Sequence, residues 1–155
     1  MKEDMTSDLA ILRILREQVR AYKALQELLM KERVFLVNMD AERIGEISKE
    51  KDTVIMSLRL LEEERIRLIK NFVRDNDISG DFNLRELAKM TGNEEFAVLR
   101  SQLLSLLQGI EEINKFNSIL IGRSLNYIKT TSNYIGAITN ECVPHTTGTL
   151  LSKEM

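Results

Sequence analysis

The sequence predicts an all-α protein: a long antiparallel helical hairpin followed by a third long helix, bundle or coiled-coil-like in packing. Three observations carry that prediction. The 155 residues include one proline and seven glycines, too few chain breakers for the frequent turns of a strand-rich domain. Hydrophobic residues make up 43% and charged residues 30%, the balance of a globular rather than a disordered chain. Apolar residues also recur at steps of three and four over three separate stretches, as in helices that bury one face.

The first stretch opens at Thr6-Ser7-Asp8, whose oxygens suit a helix N-cap. Leu9, Leu12, Leu15, Val19, Tyr22, Leu25, Leu29 and Leu36 then follow at helical spacing. The pattern predicts a helix over about 7–38, turned at Asn38-Met39-Asp40, where Asn and Asp compete with helix hydrogen bonding. The second stretch, about 40–75, is stricter. Ile44, Ile47, Lys51, Val54, Leu58, Leu61, Arg65, Leu68 and Phe72 step alternately by three and four, a heptad line. Ile55, Ile66 and Ile69 widen that stripe, as a helix with more than one neighbour requires.

Asn76-Asp77-Ile78-Ser79-Gly80-Asp81 is turn chemistry. A short helix, about 83–90, is closed by Thr91-Gly92, with Gly92 as the residue that leaves the helix. Asn93, followed by Glu94 and Glu95, starts the last helix, about 93–141. Its line runs Phe96, Leu99, Leu103, Leu106, Ile110, Ile113, Asn117, Leu120, Ser124, Tyr127, Thr131, Tyr134 and Ile138. Residues 1–141 read as a single helical domain. Residues 142–155, with Pro144, Gly148 and three threonines, read as an irregular C-terminal tail.

The charge balance bounds the function. A net charge of −2 lacks the basic face that nucleic-acid binding needs. The start, Met1-Lys2-Glu3-Asp4-Met5-Thr6, has acids and no apolar stretch, which gives the expectation of no secretory signal. No uncharged apolar run approaches the roughly 20 residues that span a bilayer. The single cysteine, Cys142, fits a reducing compartment. Together these predict a cytoplasmic protein with no membrane insertion.

Catalytic chemistry has little to build on. His145 is the only histidine, which removes any His-based triad. Cys142 and His145, spaced C-x-x-H, supply two ligands where a structural zinc takes four. Glu62-Glu63-Glu64 is an acidic run on a helix, where successive side chains point about 100° apart and fan out. There is no glycine-rich phosphate loop. The expectation is no enzyme, no metal and no cofactor.

The informative change lies inside the last helix. Up to Lys115 its exposed positions are charged or polar. From Phe116 to Ser152 only Arg123, Lys129 and Glu141 carry charge. Phe116, Ile119, Ile121, Leu125, Ile128 and Ile135 add apolar surface beside the Leu120, Tyr127 and Tyr134 line. At about 1.5 Å per residue this helix reaches roughly 70 Å, against roughly 50 Å for each of the first two. The hairpin is too short to shield all of it, so it either breaks, near Gly109 or Gly122, or projects. A projecting helix with few charges and a broad apolar face calls for a partner.

Two stretches resemble the FlgN family of flagellar export chaperones. Ile47-Ser48-Lys49-Glu50-Lys51, leading through Leu58 and Leu61-Glu62 to Arg65, is similar to the family's run of lysine, spaced leucines, Leu-Glu and arginine. Asn114-Lys115-Phe116-Asn117-Ser118-Ile119-Leu120-Ile121-Gly122-Arg123-Ser124-Leu125-Asn126-Tyr127-Ile128 resembles the family's N-x-x-N pair followed by paired aliphatics and a low-charge helix. Helix order and lengths agree over about residues 5–140.

The resemblance implies a chaperone that keeps hook-associated (junction) subunits soluble by binding their C-terminal helical segments. It then delivers them to the flagellar type III export gate, with the gate or its ATPase complex as a further partner. Cargo binding in the family lies in the C-terminal helix. With the charge drop, this nominates Asn114, Phe116, Asn117, Leu120, Ile121, Ser124, Leu125, Tyr127, Ile128, Tyr134, Ile135 and Ile138 as partner-binding residues. The family's tail element, Tyr-Gly…Gly, associated with gate docking, has no full counterpart: Pro144-His145-Thr146-Thr147-Gly148 lacks the tyrosine. The alternative is a helical-bundle scaffold subunit with no client, burying residues 116–138 in a homo-oligomer; a homodimer is open under either reading.

Overall fold

A computed structural model describes residues 2–140. Four helices follow one another: α1 (Lys2–Val37), α2 (Ala41–Asp75), α3 (Leu84–Thr91) and α4 (Glu95–Asn140). No strand occurs among the described residues. The chain forms two compact units that divide inside α4, the first ending at Asn117 and the second beginning at Ser118.

Local chemistry sets the corners. At the end of α1, Asp40 N–H donates to Phe35 O (3.0 Å) and Met39 N–H to Leu36 O (3.2 Å). These are the paired bonds of a Schellman ending, with Met39 in the left-handed position at φ 54°. Asp40 then caps α2, its side chain accepting from Arg43 N–H at 3.2 Å. The end of α2 repeats the device. Ile78 N–H donates to Val73 O and Asp77 N–H to Arg74 O, with Asp77 at φ 50°. Asn83 caps α3 by accepting from Arg85 and Glu86 N–H. Gly92 leaves the helix at φ 66°, where a side chain would be strained. Asn93 Oδ1 accepts from Glu95 N–H at 3.0 Å and starts α4.

In the first unit α1 is the central helix. Glu32 meets Lys51 and Gln18 meets Glu62, so α2 runs antiparallel to it. Arg16 meets Glu95 and Asn117 meets Glu32, so α4 runs parallel to it. Ile11, Leu12, Leu15 and Val19 pack with Phe72, Leu87, Phe96, Leu99 and Leu103 in one cluster. Leu25, Leu29 and Leu58, with Val54, Ile110 and Ile113 against them, form a second. Phe72 and Phe82 stack with ring centroids 5.7 Å apart, which ties the α2–α3 connection to the core.

The heptad line of α2 is its packed side: Ile47, Leu58 and Phe72 are buried, and the other line members are half-buried. Leu58 sits between α1 and α4 with 7% exposure. Leu58→Ala is therefore expected to cost about 2–5 kcal/mol, read as a shifted urea midpoint at unchanged slope.

Two expectations are corrected, and one of two alternatives for the last helix is excluded. Thr6-Ser7-Asp8 does not begin α1, which is already helical from Lys2, and Leu9 is 58% exposed. α1 widens its buried side through Ile11, Ile14 and Leu28, which are also buried, and α2 meets both α1 and α4 through its heptad line. Ile55 and Ile66 are exposed, and of the residues expected to widen α2 only Ile69 joins the core. Finally, α4 breaks at neither Gly109 nor Gly122 and stays helical from Glu95 to Asn140. A Cβ at Gly109 would meet the amide end of the Gln26 side chain at 2.7 Å, a flexible group that can swing aside. The expected tail, 142–155, with Cys142 and His145, lies outside the described residues.

Candidate functional site

Of the three nominated residues within the first unit, Asn117 is buried while Asn114 and Phe116 are exposed. Asn117 is 1% exposed. Its Nδ2 donates to Leu29 O at 2.9 Å and to Glu32 Oε1 at 3.0 Å. Lys51 Nζ donates to the other oxygen of Glu32, which is itself 4% exposed. One residue from each of three helices thus closes a buried polar layer, with both Glu32 oxygens satisfied. Such a layer contributes less to net stability than to fixing the register of the helices. Phe116 lies under Arg33, whose guanidinium carbon is 4.1 Å from the ring centroid, and it keeps 39% exposure. Asn114 is exposed.

A second polar layer lies further down the hairpin. Gln18, 1% exposed, donates to Glu62 Oε2 at 2.9 Å, and Arg65 donates to Glu62 Oε1. Burial pushes the Tyr22 phenol up from its ordinary value, Glu62 adds to the push, and Arg65 opposes it. A phenol with a raised folded pKa contributes stability that is fully present below the unfolded pKa, about 10. That contribution is lost as pH rises through the folded value. Stability should therefore decline above about pH 10, and Tyr22→Phe should remove part of the decline; urea midpoints measured on both sides of that pH test this.

Sequence reasoning missed Glu32 and Gln18 because the α1 line is drawn through its apolar residues alone. The signal was present. Gln18, Tyr22, Leu25, Leu29, Glu32 and Leu36 step by four and three, so both polar residues stand on the buried line of α1. They face Glu62 and Lys51 of α2.

Within the second unit the surface is different. Ile121, Leu125, Tyr127, Ile128, Tyr134, Ile135 and Ile138 are exposed, Tyr134 to 68% and Tyr127 to 64%. Leu120, Ser124 and Thr131 are half-buried. At about 100° per residue these ten residues occupy one half of the helix surface, with the hydroxyls of Ser124 and Thr131 near its middle. Asn126, Thr130 and Asn133 lie on the other half, together with Ile119, which is 49% exposed. A continuous apolar face of this kind marks a site for another chain.

Among the described residues no helix is long and apolar enough to cross a membrane. No group of three or more His, Cys, Asp or Glu there is placed to hold a metal ion.

Fold and surface define a class: all-α proteins with long packed helices, the last of which presents an apolar, low-charge face. The FlgN protein family model matches residues 5–145, and the chain belongs to that family. Its general role is therefore that of a flagellar export chaperone, and chaperones of this family bind hook-associated flagellar proteins. Comparison with curated proteins and with solved structures finds no match.

Proposed function

We propose that this chain is a cytoplasmic export chaperone whose clients dock on the apolar face of residues 120–138. The client presents the C-terminal helical segment of a hook-associated subunit, and the chaperone delivers that subunit to the type III export apparatus. The observation that supports this reading is the exposed face itself. Seven large apolar or aromatic side chains between Ile121 and Ile138 are exposed, on a segment where only Arg123 and Lys129 are charged. Binding there removes apolar area from water while desolvating few charges. The family role supplies the kind of partner. Asn117 holds α4 to the hairpin from the core side, and Phe116 meets Arg33 of α1 at the surface.

Leu120→Asp combined with Tyr127→Asp should abolish binding of a hook-associated subunit, because two carboxylates would be buried in the seam without partners. Circular dichroism of the variant should show unchanged helix content. In hydrogen exchange, residues 116–138 should be the least protected long helical segment of the free protein and should gain protection with the client. Normal binding by the double variant places the cargo site elsewhere. A persistent homo-oligomer in a dilution series, held by this face, would favour the scaffold reading.

A further inference from the structure

We infer that the client helix held on residues 120–138 carries carboxylates along both flanks of its apolar stripe, paired by Arg123 on one border of the face and Lys129 on the other. The inference rests on the reading of that face as the client site and specifies its occupant. Arg123 and Lys129 are both exposed. At about 100° per residue Arg123 falls beside Tyr127 and Tyr134, at one edge of the apolar half. Lys129 falls beside Leu125, at the other edge. Asn126 and Asn133 take the middle of the polar half.

Cations that served only to keep the helix in water would do so best at that middle. At the borders they stay hydrated and flank whatever is laid on the face. No Asp or Glu stands between Ser118 and Asn140, so both borders have one sign, and charge complementarity selects an acidic-flanked occupant. Basic borders also suit an anionic bilayer, but the middle of this face argues against one. Ser124 and Thr131 place hydroxyls where acyl chains offer no partner, whereas a facing helix can pair them across the seam. Two cations also fall short of the polybasic cluster that holds a peptide segment to an anionic surface.

The test uses the full chain and a hook-associated subunit as probe, at about 50 mM and about 500 mM salt, which differ several-fold in screening length. Arg123→Glu with Lys129→Glu should weaken binding about tenfold or more at the lower salt. The gap should close at the higher salt, and each single reversal should have a smaller effect. Changing the client's flanking Asp and Glu to Lys should restore binding to the reversed chaperone. If charge reversal leaves affinity and salt dependence unchanged while Leu120→Asp with Tyr127→Asp still abolishes binding, the inference is wrong and the docking face stands. If both variants bind normally, the docking face falls and takes the inference with it. Tight binding of the full chain to phosphatidylserine vesicles, lost on charge reversal while client binding is kept, would assign the cations to a membrane and overturn the inference.

Discussion

Replacing Lys51 with methionine is expected to destabilise the protein by about 3–5 kcal/mol. Glu32 is held at 4% exposure with one oxygen on Lys51 and the other on Asn117. Without the ammonium, a buried carboxylate keeps a single neutral donor at the junction of three helices. The triple change Glu32→Leu, Lys51→Met and Asn117→Leu should recover most of the loss, because removing a whole buried polar set is far less costly than orphaning one member. Equilibrium urea unfolding of the single and triple variants checks both halves. A Lys51→Met midpoint equal to that of the parent would mean that Glu32 reaches water in solution.

Phe96→Ala should cost about 3–5 kcal/mol. Phe96 has 0% exposure and packs in the cluster shared by Ile11, Leu15, Phe72 and Leu87. It is the first buried residue of α4, so the cavity would open where α1, α2, α3 and α4 all contribute. Loss of α4 protection in hydrogen exchange, with the α1–α2 hairpin still protected, should accompany the fall in stability.

Helix boundaries were legible because caps are local chemistry. Asp40, Asn83, Gly92 and Asn93 each do at short range what their residue type does in any chain. The start of α1 misled because Ser7 and Asp8 are good caps that here lie within a helix. Burial was legible on α2 and α4, where the heptad line and the packed side coincide. The surplus aliphatics of α1 and α2 were the exception, because only tertiary packing decides which are covered: Ile11 and Leu28 are, Ile55 and Ile66 are not. For the candidate site, the charge drop marked the segment that is exposed from Ile121 to Ile138. The asparagine pair, read from the sequence as one recognition motif, divides between an exposed Asn114 and a buried Asn117. Periodicity shows that a polar residue stands on a seam but leaves its partner open, and the partner of Asn117, Glu32, comes from 85 positions away in the chain.

The parallel seating of α4 on α1 sets an order for synthesis. Two neighbouring antiparallel helices such as α1 and α2 can pair as soon as they leave the ribosome, since the loop between them is short. The contacts of α1 with Phe96, Leu99 and Leu103 must wait until the chain beyond Asp75 has been made, a non-local closure. Until then Ile11, Leu12, Leu15 and Val19 lie on a nascent hairpin with their α4 side uncovered. The polar layer at Asn117 forms last of all, after the whole of the apolar seam beneath it. Apolar surface left open on a partly made chain is the kind that promotes aggregation, and α4 is the element that covers it.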